Sequence, residues 1–235
     1  MRFDDRMIVL TGVGREGQVG EIVARAFAER GATVAAIDRI QDELEARVAD
    51  LHARGHRASA HVCDLTDEAQ IRGVCLDITK LSNGRVAALV NLAGGFAASG
   101  PVSESDPSVW QRQLAINLTT AYLTTRAFLP LVRAARGSIV FFASAAALPG
   151  SKPKGMSAYA AAKSGVLALM RAVAEEERPH GVRANAIAPT SIRTTANLAS
   201  MGESTRYVER EQVAEVVTWL CSEEASAVSG QVIAM

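Results

Sequence analysis

Short runs of adjacent apolar residues, rich in Val, Ile and Ala, recur along the chain and alternate with longer stretches in which apolar residues return at helical spacing. The runs predict strands at Met7–Leu10, Thr33–Ile37, Ala58–Val62, Val86–Val90, Ser138–Phe142, Val182–Ile187 and Gln231–Ala234. Strands that alternate with helices imply βαβ units, whose crossovers leave the strands parallel. Because the runs are nearly continuous in apolar character, both faces of the sheet should be covered by helices. The expected class is therefore α/β, a doubly wound parallel sheet. Gly20–Arg30 reads as a helix stopped by Gly31, and Asp42–Ala53 places Leu44, Val48 and Leu51 on one stripe before Gly55. Two longer helical segments, Pro107–Ala135 and Met156–Arg178, are apolar around more of their circumference than a surface helix requires, which predicts contacts between subunits. No repeat or composition break divides the chain, and the polar stretch Ser151–Gly155 reads as a loop, so one domain over residues 1–235 is expected.

Composition narrows the partners. Apolar residues make up 49% of the 235-residue chain, enough for a sizeable core, and the 25 Lys and Arg balance 25 Asp and Glu. A balanced charge lacks the electrostatic footprint that nucleic acid or an anionic membrane demands, so the expected partner is a small molecule. Cys63, Cys75 and Cys221 are odd in number and widely spaced, which opposes both a disulfide framework and a thiolate metal site. With a charged N-terminus, Met1–Arg6, and no long apolar segment, a cytoplasmic location is expected.

Between the first strand and the first helix lies Thr11-Gly12-Val13-Gly14-Arg15-Glu16-Gly17-Gln18-Val19-Gly20. Glycines in such a turn let backbone N–H groups approach a pyrophosphate at the positive end of the helix. A tight βα connection also uses glycine, but here an acidic residue, Asp38, closes the next strand, where it can accept hydrogen bonds from a ribose. These features predict a Rossmann-type dinucleotide site. A carboxylate at that place repels a 2′-phosphate, so NAD(H) is preferred over NADP(H). Arg15 and Arg39 oppose that preference and keep NADP(H) possible, although Arg39 is also within reach of Asp42 or Glu43. Asp38 has a second reading as a cap for the helix beginning near Gln41.

Tyr159 and Lys163 are four residues apart at the start of a predicted helix and so share a face. A phenol that works near neutral pH needs its pKa brought down by about three units, roughly 4 kcal/mol, and a nearby cation acts in that direction. The pair alone is weak, since Tyr and Lys often fall four apart by chance. It is joined, in order, by Asp64-Leu65-Thr66, Asn91-Leu92-Ala93-Gly94, Asn117, Ser144 and Pro189-Thr190-Ser191-Ile192-Arg193-Thr194, each near a strand end or on a helix at the same sheet edge.

With this ordered set the chain resembles the short-chain dehydrogenase/reductase family over essentially its whole length, in the shorter-chain branch that includes 3-oxoacyl reductases. The resemblance implies hydride transfer between a nicotinamide cofactor and a secondary alcohol or ketone. It implies that Tyr159 exchanges the substrate proton, that Lys163 lowers the Tyr159 pKa and holds the nicotinamide ribose, that Ser144 binds the substrate oxygen, and that Asn117 anchors a proton-relaying water. It further implies that Gly12, Gly14, Gly17, Val19 and Gly20 line the pyrophosphate turn and that Asp64 and Leu65 flank the adenine. Asn91, Ala93 and Gly94 would pack beside the cofactor, and Pro189, Ile192 and Thr194 would hold its carboxamide end. A dimer of dimers is implied as well. The chain departs from the family pattern in a glycine turn two residues longer, a Ser144-to-Tyr159 segment about two residues longer, and Thr190 where glycine is common. An NADPH-dependent 3-oxoacyl thioester reductase and a cofactor-binding module without turnover are the alternatives.

Overall fold

The computed structural model describes residues 1–235. Its strands are β1 (Met7–Thr11), β2 (Thr33–Asp38), β3 (Arg57–Val62), β4 (Ala88–Asn91), β5 (Ser138–Phe142), β6 (Arg183–Ala188) and β7 (Val232–Ala234). They form one seven-stranded sheet in the order β3-β2-β1-β4-β5-β6-β7, parallel throughout. The order reverses between β1 and β4, which opens a crevice at the carboxyl ends of the strands. The helices are α1 (Val19–Ala28), α2 (Gln41–Ala53), α3 (Glu68–Leu81), α4 (Pro107–Leu114), α5 (Thr120–Ala135), α6 (Ser157–Glu176), α7 (Thr195–Met201) and α8 (Arg210–Cys221).

Strand residues sort to the two faces by parity, because successive side chains point to opposite sides of a sheet. Ile8, Leu10, Val34, Val90, Val140 and Phe142 pack with α1, α2 and α8. Met7, Val9, Ile37, Leu89, Ile139 and Phe141 pack with α3, α5 and α6. The doubly wound expectation is met, and strand bounds shift by no more than two residues. The shifts have local causes. Val86 donates its N–H to Leu131 O, and Ala87 donates to Met7 O before β4 begins, while Val182 is drawn to Glu177 O.

The Pro107–Ala135 segment is not a uniform helix. Asp106 caps it by accepting from Ser108 N, and Pro107 occupies the first turn, where its missing N–H costs nothing. At Ala115–Thr119 the backbone widens into a π turn between α4 and α5. Such single turns cluster at functional sites, and this one carries Asn117. On the far side of the molecule, Arg133 of α5 grips the carboxylate of Glu177 with both arms, at 2.6 and 2.5 Å. Glu177 is only 1% exposed, so this pair locks α5 to the end of α6 through a desolvated charge.

Candidate active site

Three segments converge at the carboxyl edge of β1, β2 and β4. In the glycine turn, Gly12 (φ +77°) lies so close to Ala93 that a Cβ there would sit 2.9 Å from its Cα. A Cβ on Gly20 would lie 2.1 Å from Gly12 O, so the first turn of α1 can pack this tightly only without a side chain. Helix α1 starts at Val19 with Gln18 as its N-cap and no side chain bonded to its first N–H groups. That leaves its positive end open to an anion. The expected lengthening of the turn has a visible consequence. Gly17 O accepts from Thr195 N at 3.2 Å and Gly17 N donates to Glu21 Oε2 at 2.7 Å, so the added residues reach across to the start of α7. Thr195 was not among the expected site residues, because nothing local announces a contact made across nearly the whole chain.

Asp38 ends β2 against this turn. Its Oδ2 accepts from Gly14 N at 2.9 Å and its Oδ1 from Arg39 N at 2.7 Å. The reading as a helix cap is corrected: Ile40 is the N-cap of α2, and the Asp38 carboxylate faces the glycine turn. No ion pair joins Arg39 to Asp42 or Glu43, and both Arg15 and Arg39 are exposed. Asp64 accepts from Thr66 N and Thr66 Oγ1; these bonds, with the Arg39 charge nearby, hold its carboxyl below the ordinary range. Leu65 is buried beneath it. After β4, the Leu92 and Ala93 N–H groups both donate to Thr11 Oγ1 at 3.0 Å, which fixes the 91–94 segment to β1. Asn91 donates to Thr125 Oγ1 at 2.9 Å, while its Oδ1 is buried without a partner.

The second half of the site lies beyond β4 and β5. Asn117 is 1% exposed, and its amide is fully engaged. Oδ1 accepts from Gly95 N at 3.2 Å, and Nδ2 donates to Gly95 O at 2.9 Å and to Gln113 O at 3.1 Å. The side chain therefore braces the loop after Gly94, and a relay water would have to be held by main-chain atoms of the π turn. Ser144 caps the short turn after β5 by accepting from Ala146 N at 3.2 Å. Tyr159 and Lys163 stand one turn apart in α6, with the Lys163 ammonium 5.8 Å from the Tyr159 ring centre. Lys163 is buried, its Nζ donating to Phe142 O at 2.8 Å, and no carboxylate compensates it, so burial pushes its pKa down to about 8.

The Tyr159 phenol departs from expectation. Burial pushes its pKa up, and only the Ser144 hydroxyl pulls it back; Lys163 is not among the causes. The difference is one of solvation. The same interior that brings the two groups together removes the water that would stabilise a phenolate, and Lys163 is itself turned to a carbonyl. Phe96 contributes to that dry surrounding: its ring meets Tyr159 edge-on, centres 5.2 Å apart at 89°. Its contact with Tyr159 has no local mark in the sequence, since it joins the loop after β4 to α6.

After β6, Thr190 N donates to Met235 O, and Arg193 N donates to Val208 O, which ties this loop to the chain terminus and to the approach to α8. Pro189 opens the loop by accepting from Ala145 N, Ile192 packs against the core, and the Thr194 hydroxyl caps α7 by accepting from Asn197 N at 3.2 Å. A depression of about 400 Å³ lies among Arg6, Thr33, Arg85 and Glu223. It holds none of the expected residues, and Arg6 is paired there with Glu223.

A family model described as enoyl-(acyl carrier protein) reductase matches residues 12–235. The chain is 34% identical over 245 residues to the (5R,7aS)-5-hydroxy-7a-methyl-1-oxo-2,3,5,6,7,7a-hexahydro-1H-indene-carboxyl-CoA reductase of Mycobacterium tuberculosis, covering 99% of this chain and 92% of that protein. It is 30% identical to the galactitol 2-dehydrogenase of Rhizobium johnstonii, covering 99% and 94%. Among solved structures, a 3-oxoacyl-[acyl-carrier protein] reductase with bound NAD from Brucella melitensis is 31% identical with a TM-score of 0.87, over 99% of this chain and 90% of that one. NAD+-bound xylitol dehydrogenase is 26% identical with a TM-score of 0.90, over 100% and 99%.

Proposed function

Since the chain belongs to the short-chain dehydrogenase/reductase family and is accordingly a nicotinamide-dependent oxidoreductase of CH–OH and C=O groups, we propose that Tyr159 is its acid–base group and that it prefers NAD(H). The observation that carries this reading is the meeting of Ser144, Tyr159 and Lys163 in one largely buried cluster at the carboxyl edge of the sheet. When bound, the dinucleotide supplies or accepts the hydride. The chain supplies position and protons. Gly12, Gly14, Gly17 and Gly20 form a turn that side chains would fill, and with Val19 they lead into an uncapped α1 terminus that suits a pyrophosphate. Asp38 receives the adenosine ribose, with Asp64 and Leu65 toward the adenine. Asn91, Ala93, Gly94, Pro189, Ile192 and Thr194 line the remainder.

At neutral pH the Tyr159 hydroxyl holds its proton and gives it to the oxygen of a carbonyl being reduced; in oxidation it takes that proton back. Ser144 orients the same oxygen. Lys163, one turn on and held to Phe142 O, is placed to hold the nicotinamide ribose, and Asn117 holds the loop that closes this side of the site. Replacing Tyr159 by Phe should lower turnover by about 10²–10⁴-fold while NADH fluorescence titration gives an unchanged affinity. A variant that keeps most of its kcat rejects the assignment.

A second cofactor reading is favoured by one observation. Arg39 is exposed, unpaired and close enough to Asp64 to bias its charge. An arginine there suits a 2′-phosphate, as an NADPH-dependent 3-oxoacyl thioester reductase would require. Asp38 outweighs it because its carboxylate is fixed by Gly14 N and Arg39 N, whereas the arginine side chain is not. We further propose a dimer of dimers, on the exposure of Val102, Trp110 and Tyr122 along the α4–α5 side, testable by light scattering during size exclusion. A cytoplasmic location is proposed on the three unpaired cysteines, within one domain that binds cofactor and substrate.

A further inference from the structure

From the surfaces of the loops that follow β4, β5 and β6, we infer that the substrate is an apolar ketone or secondary alcohol, alicyclic or aliphatic, in place of a polyol, and that Phe96 is the positioning residue that selects it. The inference rests on the oxidoreductase reading above. Phe96 follows the Gly94–Gly95 segment, which Asn117 pins from both its N–H and its C=O at Gly95. The ring leans edge-on against Tyr159 yet keeps 62% of its surface exposed. A large aromatic face held at that exposure beside the proton donor is surface awaiting an apolar partner. Ala97 and Ala98 continue the same wall, and the segment after Ser144, from Ala145 to Pro149, carries no polar side chain.

A polyol needs partners for each hydroxyl it buries, since an unpaired hydroxyl in a dry site is costly. Several polar side chains of these loops are engaged within the loops themselves. Ser99 donates to Gly155 O and Ser151 to Ala146 O. Asn197 donates to Ile192 O, and Tyr207 to Asn197 O and Gly202 O. Arg193 is held between Glu203 and Glu209. The unpaired cations Lys152, Lys154 and Arg206 are exposed at the outer surface of these loops. What remains to meet the body of a substrate is Phe96 and its apolar neighbours.

The test is steady-state kinetics of the whole enzyme with NADH and NADPH on cyclohexanone, 2-octanone and ribulose. The apolar ketones should exceed ribulose in kcat/KM by about 100-fold, the range open to a hydrophobic pocket. Phe96→Ala should raise the KM for cyclohexanone about tenfold and leave kcat nearly unchanged, whereas Phe96→Leu, which restores apolar contact, should recover most of the loss. The KM for ribulose should rise less than that for cyclohexanone in Phe96→Ala. Ribulose turnover equal to that of cyclohexanone, or a Phe96→Ala effect that lowers kcat alike for every ketone, would overturn the inference while leaving the oxidoreductase reading in place. Failure of all three ketones to oxidise either cofactor would overturn both.

Discussion

Lys163 gives the most quantitative handle on the site, because it is a buried cation with a single carbonyl partner, Phe142 O, and no carboxylate. Its ordinary pKa of 10.5 is brought down to about 8 in the folded protein. At about 1.4 kcal/mol per pH unit, that difference represents roughly 3 kcal/mol of unfavourable charge burial. Below pH 8 the lysine is protonated in both folded and unfolded chains, so the full penalty is present. Between about pH 8 and 10.5 the unfolded chain keeps the proton and the folded chain does not, so wild-type stability rises with pH through that window. Lys163→Met removes the penalty at every pH and gives up one hydrogen bond worth about 1 kcal/mol. The cofactor-free variant should therefore be about 2 kcal/mol more stable than wild type at pH 7, or about 4–8 °C in Tm for a chain of this size. By pH 10 the advantage should shrink to near zero. Urea denaturation of both proteins at equal concentration, at pH 7 and pH 10, measures the difference. A wild type that is the more stable at pH 7, or an advantage that does not change with pH, refutes the reasoning. Turnover should be lost in the same variant, as expected where function retains a destabilising group.

Four further outcomes follow from particular contacts. Asp38→Ala should narrow the ratio of kcat/KM for NADH over NADPH by tenfold or more, and a wild type that prefers NADPH would place the phosphate on Arg39 instead. Gly20→Ala forces a Cβ to 2.1 Å from Gly12 O, so it should raise the KM for the dinucleotide more than tenfold; an unchanged KM would mean that the turn does not hold the pyrophosphate. Arg133→Met strands the buried Glu177 carboxylate and should cost about 3 kcal/mol in urea denaturation, with Glu177→Gln added in the same chain recovering part of it. Cys63 and Cys221, whose thiols burial pushes up to about 11 and about 12, should resist iodoacetamide at pH 8 until urea exposes them, which mass spectrometry of the labelled peptides reads directly.

Much of the architecture was written locally. Apolar runs such as Val9–Leu10 and Val140–Phe142 are legible as strands because burial on both faces leaves no room for polar alternation, and the helices between them impose parallel order. The glycine turn and the Tyr159–Lys163 spacing were legible for the same reason: backbone clearance and helical periodicity act over a few residues. What the chain could not disclose are properties that arise only when distant segments meet. The Pro107–Ala135 pattern carries no mark of the π turn at Ala115–Thr119, which accompanies the fastening of Asn117 to Gly95 of another loop. Gly17 gave no sign of its bond to Thr195, nor Glu177 of its partner Arg133. The direction of the Tyr159 pKa was the sharpest case. Spacing promised a cation beside a phenol, but desolvation depends on the whole enclosure, and in this protein it raises the Tyr159 pKa with only the Ser144 hydroxyl opposing it. Sequence periodicity determined which side chains share a face; the dielectric around them was set by tertiary packing, because burial is a sum over neighbours that lie far apart along the chain.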